Sequence, residues 1–228
     1  MRSAEFISGG RRLSANIFEP EPELVRRPAI LFVHGWHSSK SGYGVRAAAV
    51  TEQLGAVCVT FDLGGHADSE GVLNQLSPRD HLLDCEAAFD ALVSHPQVNP
   101  ARVGVCGASY GGYLSALLTG RRDVSKLLLR APSLHGDHAI DTPPGLMEEL
   151  DGHCDARQLF KGLAASRAEV LILESEHDEV IPHSVIEAYL RGCPRAHYEV
   201  LAGARHALRE PVIEAGFVAA IINWFADL

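Results

Sequence analysis

The sequence lacks the apolar segments that would carry a chain into or across a membrane. Its longer apolar runs, such as Ala29–Val33 and Phe217–Ile222, fall far short of the roughly 20 residues that a bilayer-spanning helix needs. Residues 1–17 mix Arg and Glu with scattered apolar side chains and contain no apolar core of a signal peptide. We therefore expect a cytoplasmic protein with no membrane partner.

Paired cysteines and an excess of basic residues are also missing. The five cysteines are scattered without a C-x-x-C pair, which predicts free thiols in a reducing compartment and no zinc ribbon or redox pair. They are Cys58, Cys85, Cys106, Cys154 and Cys193. The 20 Lys and Arg face 29 Asp and Glu, and the resulting net charge of −9 repels phosphate backbones and anionic lipid. No nucleic-acid partner is expected.

The N-terminal residues predict a β-hairpin. Ala4–Ile7 and Leu13–Phe18 have the character of strands and flank the turn Ser8-Gly9-Gly10. After this hairpin, short and mostly apolar runs suit strands that are buried on both faces of a parallel sheet. These runs are Ala29–Val33, Val57–Phe61, Val103–Cys106, Leu127–Leu129 and Val170–Leu173.

Segments with helical character lie between the strand-like runs. One begins at Pro78, directly after the candidate N-cap Ser77, and ends before His95-Pro96. The others are Gly112–Thr119, Val185–Leu190 and Val212–Phe225. Strands that alternate with helices predict a mostly parallel sheet covered by helices on both faces, and residues 1–228 are expected to form one such α/β domain.

One motif carries the chemistry. Gly107-Ala108-Ser109-Tyr110-Gly111 has the pattern G-x-S-x-G, between a predicted strand and a predicted helix. This context is that of a nucleophile elbow, in which a sharp turn presents the serine hydroxyl at the carboxyl edge of the sheet. The alternative is a purely structural role, in which Ser109 only caps the following helix.

With this motif the sequence resembles the α/β-hydrolase superfamily along nearly its whole length. His34-Gly35-Trp36 is similar to the family's H-G-x oxyanion loop. Residues 62–71 resemble its D-x-x-G-x-G-x-S segment, with Ala67 where Gly is usual, for which we expect a small local effect. Residues 176–182 resemble the loop of the catalytic acid, and Gly203-Ala204-Arg205-His206 resembles the loop of the catalytic base.

The resemblance and the residue chemistry together predict a Ser-His-Asp triad of Ser109, His206 and Asp178. A serine hydroxyl needs a base to take its proton, and the base needs an acid to hold its tautomer. The order Ser…Asp…His is the one found in this fold. Glu174 stays open as an alternative acid. The backbone N–H groups of Trp36 and Tyr110 are the expected oxyanion-hole donors.

A metal site is a weaker reading of the sequence. His135, Asp137, His138, His153 and Asp155 lie close together in the chain, but their spacing matches no strong zinc signature. A serine triad needs neither metal nor cofactor, so we predict none.

The substrate is less well defined than the reaction. The motifs resemble small esterases of the feruloyl or cinnamoyl type, which predicts hydrolysis of small acyl esters through an acyl-enzyme. Residues 131–168 leave room for only a short lid, and His34, Leu134 and Met147 are candidates for substrate contact, although His34 is expected mainly to order the oxyanion loop.

Other functions remain open on the same residues. The S-Y-G-G of the elbow also resembles the catalytic domain of the prolyl oligopeptidase family, whose members generally carry an additional domain for which 228 residues leave no room. A peptidase or amidase, a thioesterase, and a binding module that has lost catalysis are the alternatives. The oligomeric state is not predicted.

Overall fold

The computed structural model describes residues 1–21, 25–146 and 154–228. The strands are β1 (Arg2–Ser8), β2 (Arg11–Phe18), β3 (Arg27–Val33), β4 (Val57–Phe61), β5 (Val98–Ala108), β6 (Lys126–Arg130), β7 (Glu169–Ser175) and β8 (His197–Leu201). The α-helices are α1 (Gly44–Leu54), α2 (Pro78–Val93), α3 (Tyr110–Leu118), α4 (Arg157–Ala165), α5 (His183–Gly192) and α6 (Pro211–Phe225).

The eight strands form one sheet in the order β1-β2-β4-β3-β5-β6-β7-β8. The predicted N-terminal hairpin is confirmed, since β1 pairs antiparallel with β2 and Ser8 lies opposite Arg11. Gly9 and Gly10 both adopt positive φ angles, 54° and 79°, as the tightest hairpin turns require. The pairing of β2 with β4 is antiparallel, and every later pairing is parallel.

The central strands are buried on both faces, which explains their continuous apolar sequences. On β3, Leu31 and Val33 belong to the core on one face, whereas Ile30 and Phe32 belong to the core on the other. Helices α2, α3, α4 and α5 supply buried side chains to the first core, and α1 and α6 supply them to the second. The predicted α/β-hydrolase architecture is therefore confirmed.

The start of α2 shows how the local sequence fixes an element. The Ser77 side chain accepts a hydrogen bond from the Asp80 backbone N–H, and the Asp80 carboxylate accepts one from the Ser77 backbone N–H at 2.9 Å. This reciprocal capping box, with Pro78 in the first turn, satisfies donors that a helix start leaves open. The helix begins where the sequence predicts.

The segment between β6 and β7 contains α4 and two short 3-10 turns, Asp137–Asp141 and Pro144–Leu146. Helix α4 lies close to the turn that follows α3, because a Cβ atom added to Gly162 would lie 3.2 Å from the Cα atom of Gly120. Across residues 1–21, 25–146 and 154–228, no helix has both the length and the apolar character needed to cross a bilayer.

Candidate active site

Ser109 occupies a sharp turn between β5 and α3. Its backbone has φ 55° and ψ −125°, a conformation that a non-glycine residue adopts only when the surrounding structure imposes it. A Cβ atom on Gly107 would collide with the Gly111 carbonyl, and one on Gly111 would collide with the Val33 carbonyl. The two glycines of the motif therefore permit the turn, and the Ser109 side chain makes no capping bond to α3.

The structure brings Ser109, His206 and Asp178 together from three different loops. His206 Nε2 lies 3.1 Å from Ser109 Oγ, and His206 Nδ1 lies 3.0 Å from both carboxylate oxygens of Asp178. A carboxylate only accepts hydrogen bonds, so Nδ1 carries the proton in this arrangement and Nε2 is left to accept one from the serine. The geometry is that of a base aligned on a nucleophile.

The Asp178 carboxylate is held in its charged form. Burial alone raises the pKa of Asp178, but hydrogen bonds from His206 and from the Ile181 and Val180 N–H groups outweigh it and lower the pKa below its ordinary value. The two backbone bonds, 2.8 and 2.9 Å long, both end on Oδ1. Only 4% of the Asp178 side chain is exposed, so its attraction for the imidazole is little screened by water.

Glu174, the alternative acid, has other partners. Its carboxylate accepts a hydrogen bond from Tyr198 and lies 2.8 Å from His183 Nδ1. These contacts raise the pKa of His183 above its ordinary value, chiefly through the hydrogen bond to Glu174. The geometry therefore favours Asp178 over Glu174 as the partner of His206.

Tyr110 and the residue before Trp36 lie next to Ser109. Tyr110 is the first residue of α3, so its backbone N–H has no partner within the helix. Gly35 approaches so closely that a Cβ atom there would lie 3.3 Å from Ser109 Cβ. Trp36 follows in a turn closed by a hydrogen bond from the Ser38 N–H to the Gly35 carbonyl, with His37 at a φ of 58°.

His34 lies behind this turn and is almost fully buried. Its Nε2 accepts a hydrogen bond from the Leu63 N–H at 3.0 Å, so Nδ1 carries the proton and donates to the Gly35 carbonyl at 2.8 Å. Burial lowers the pKa of His34 to about 4, and the ring is neutral at pH 7. Both ring nitrogens are thus used by the backbone, which favours support of the turn over contact with substrate.

The other two candidates for substrate contact differ in what the structure shows. Leu134 is 2% exposed and belongs to the core on the α3 side of the sheet, so it is a packing residue. Met147 lies outside the described residues. Within the described part of the chain, no group of three His, Cys, Asp or Glu side chains is placed to hold a metal ion.

Sequence reasoning missed a set of aromatic and imidazole rings beside the oxyanion loop. The Trp36 ring centroid lies 4.9 Å from that of His66, 5.9 Å from that of His81 and 5.5 Å from that of Tyr110, all edge to face. His81 Nδ1 lies 2.9 Å from the Tyr110 hydroxyl, and His81 Nε2 lies 3.1 Å from the Gly64 carbonyl. The rings brace both residues that carry the expected oxyanion donors.

A buried ion pair ties the same loop to the turn after β4. Lys40 Nζ lies 2.6 Å from carboxylate oxygens of both Asp62 and Asp68, and the Lys40 backbone N–H donates to Asp62 as well. Asp62 is fully buried. Both aspartates belong to the D-x-x-G-x-G-x-S segment that the sequence shows, but the cation that pairs with them could not be located from the sequence.

Comparison with known proteins identifies a matching family and several similar proteins. A model of the X-Pro dipeptidyl-peptidase (S15) family matches residues 9–131. An uncharacterized protein of Mycobacterium tuberculosis is 26% identical over 182 residues, which are 78% of this chain and 63% of that protein. The quorum-quenching protein AidA of Acinetobacter baumannii is 32% identical over 112 residues, 47% of this chain and 36% of AidA. The chain thus spans less than two thirds of the length of either relative.

Solved structures share the fold. Est1E from Butyrivibrio proteoclasticus, determined with ferulic acid bound, superimposes with a TM-score of 0.72 at 18% identity, covering 98% of this chain and 100% of Est1E. At that identity the likeness extends to the fold alone. The match to residues 9–131 spans more than half of the chain, including the elbow. The chain is therefore a hydrolase-fold protein of the α/β-hydrolase superfamily and belongs to the X-Pro dipeptidyl-peptidase (S15) family.

Proposed function

We propose that the protein is a serine hydrolase that cleaves carboxylic esters of small acyl groups. The observation that carries the proposal is the single imidazole of His206, which lies within hydrogen-bond distance of the Ser109 hydroxyl on one side and the Asp178 carboxylate on the other. Ser109 is the proposed nucleophile, His206 the base and Asp178 the residue that holds the tautomer.

The proposed reaction has two halves. His206 Nε2 takes the proton of Ser109 while Oγ attacks the ester carbonyl, and the N–H groups of Trp36 and Tyr110 donate to the oxyanion. His206 then gives the proton to the departing alcohol, which leaves an acyl-enzyme. Water, activated by the same imidazole, releases the acid and restores Ser109. Each oxyanion donor contributes about 3–4 kcal/mol of barrier lowering in such sites.

Two observations support a small acyl ester as substrate. The segment between β6 and β7 is short for a lid, and the partly buried ring of Trp36 beside the elbow suits an uncharged, flat or compact group. The fold likeness to Est1E points the same way. The proposed chemistry uses no metal and no cofactor, and the free thiols of Cys58, Cys85, Cys106 and Cys193 suit a cytoplasmic protein.

The test is labelling followed by a substrate panel. A fluorophosphonate probe should label the wild type and fail to label Ser109→Ala. Ser115→Ala is the matched control, because Ser115 is a buried serine of α3 whose hydroxyl donates to the Gly111 carbonyl and not to His206. p-Nitrophenyl acetate and butyrate should then be cleaved faster than longer esters. Folded wild-type protein that resists the probe would overturn the proposal.

A peptidase is the second candidate, and the family match favours it. Dipeptidyl anilides with proline in the second position, run beside the esters and an acyl thioester at equal concentrations, separate the possibilities. Higher kcat/KM on the anilide than on every ester would assign the same three residues to peptide hydrolysis instead.

A further inference from the structure

Arg130 is a buried cation at the end of β6. It is only 6% exposed, although arginine is among the residues least often found in a protein interior. No carboxylate lies within ion-pair distance of its guanidinium in residues 1–21, 25–146 and 154–228. Burying a charge without an opposite charge beside it is costly, and such an exception to ordinary packing calls for a functional reason.

The backbone of Arg130 contacts the nucleophile. The Ser109 N–H donates to the Arg130 carbonyl at 3.0 Å, and this bond fixes the turn at the residue that carries the hydroxyl. The next residue, Ala131, has a positive φ of 41°, so the chain turns away directly after this contact.

The side chain of Arg130 contacts the base. Its Nη2 donates to the backbone carbonyl of His206 at 2.7 Å, and its Nη1 donates to Ser175 Oγ at 3.0 Å. A charged donor forms a stronger bond than a neutral one, so the main chain of His206 is held firmly against the end of β6. One residue thus joins the backbones of Ser109 and His206, which are 97 positions apart in the sequence.

The charge of Arg130 acts on the same site. Burial lowers the pKa of Arg130, and the negative charge of Asp178 is one of the influences that oppose that shift. Among the residues that the structure describes, the charged side chains hydrogen-bonded to His206 are Asp178 at Nδ1, Glu179 at the backbone N–H, and Arg130 at the carbonyl. Arg130 is the cation among these three.

We propose that Arg130 is a positioning residue for the reaction of Ser109, which sets the distance between base and nucleophile through the His206 carbonyl and opposes excess protonation of the imidazole through its charge. The proposal rests on the proposed serine hydrolase function. It assigns no substrate contact to Arg130, and its effect is exerted through His206.

The test compares two variants. Arg130→Met removes both the guanidinium hydrogen-bond donors and the positive charge, whereas Arg130→Lys keeps the charge but cannot donate hydrogen bonds in two fixed directions. Activity on p-nitrophenyl acetate is measured from pH 5 to 9 and expressed per active site titrated with the fluorophosphonate. Arg46→Lys is the matched control. Arg46 also lies over the ring of Phe217, at 4.9 Å against 5.6 Å for Arg130, but pairs with Glu214 and does not touch the His206 loop.

Both Arg130 variants should lose about 10- to 100-fold in kcat per titrated site with little change in KM, because small displacements of a base cost that much. In Arg130→Met the acid limb of the pH profile should also move upward by roughly half a unit, since loss of a nearby positive charge favours the protonated imidazole. In Arg130→Lys the acid limb should stay in place. Arg46→Lys should change neither quantity.

A folded Arg130→Met variant with wild-type kcat and an unmoved acid limb would overturn the proposal. So would an equal loss in Arg46→Lys, which would indicate a general effect of destabilisation. If Arg130→Met does not fold, Arg130→Lys decides, and a wild-type kcat per site there is the contrary result. Failure of the wild type to react with the probe would instead refute the serine hydrolase function itself.

Discussion

Acid should destabilise the folded protein through His135, and a phenylalanine at this position should reduce that effect. His135 lies beside Tyr113, with ring centroids 4.8 Å apart, and its Nε2 lies 3.1 Å from Ser133 Oγ. Burial lowers the pKa of His135 to about 4, against about 6.5 for an exposed histidine. His135→Phe keeps a flat ring on Tyr113 and removes the titrating group.

The sign and size follow from proton linkage. As the pH falls below 6.5 the unfolded chain takes up a proton at this position before the folded protein does, so stability is fully present above pH 6.5 and is lost toward pH 4. At pH 5 the loss is about 2 kcal/mol for the pKa pair of about 6.5 and about 4. His135→Phe should lower the free energy of unfolding by about 1 kcal/mol at every pH, because the hydrogen bond to Ser133 is missing. Compared with the wild type, however, its free energy of unfolding should be about 2 kcal/mol more favourable at pH 5 than at pH 8.

Urea unfolding at pH 8, 7, 6 and 5 measures this difference directly. The curves of unfolding free energy against pH for the wild type and His135→Phe should converge and cross as the pH falls. His177→Gln is the control, because His177 is on the surface with 62% of its side chain exposed. Parallel curves for the wild type and His135→Phe between pH 8 and 5 would refute the reasoning.

Three other changes test the site and its support. Ala67 has a φ of 41°, which glycine adopts without strain, so Ala67→Gly should raise the free energy of unfolding by about 0.5–1 kcal/mol in urea titrations; a lower value contradicts the strain. Gly111→Ala should abolish probe labelling, because its Cβ atom would collide with the Val33 carbonyl and displace the turn at Ser109. Labelling at the wild-type rate would show that the neighbouring backbone moves aside without disturbing Ser109. Asp178→Asn should reduce kcat about 10³- to 10⁴-fold with the fold retained by circular dichroism, and a loss below tenfold would remove Asp178 from the mechanism.

The central sheet and the elbow are predictable because their signals are local. Val57–Phe61 is buried on both faces, so its sequence is nearly all apolar, and the turn at Ser109 needs glycine on either side of it. The strand β8 gives no such signal. Its residues His197–Val200 are exposed, since it is the edge of the sheet, and an exposed strand needs no apolar pattern.

The candidate site divides in the same way. Ser109 and the loops of Asp178 and His206 follow from motifs, and the structure brings the three side chains together. The bracing groups do not follow from the sequence, because their roles depend on pairs that are distant in the chain. Arg130 ends an apolar strand and His81 shares the apolar face of α2, so each is recognisable only as a polar residue where an apolar one is the rule.

The place of β8 in the sheet has a consequence for the lifetime of the active arrangement. The loop that carries His206 begins where β8 ends, and β8 pairs with β7 alone. Exposed edge elements open at a lower free energy than the interior of a sheet, so the local opening that separates base from nucleophile is a smaller event than global unfolding. The guanidinium of Arg130 reaches from the sheet interior to the His206 backbone and acts against that opening. The free energy of this local opening is therefore set by the edge strand β8 and by the Arg130 contact, and it is distinct from the free energy of global unfolding.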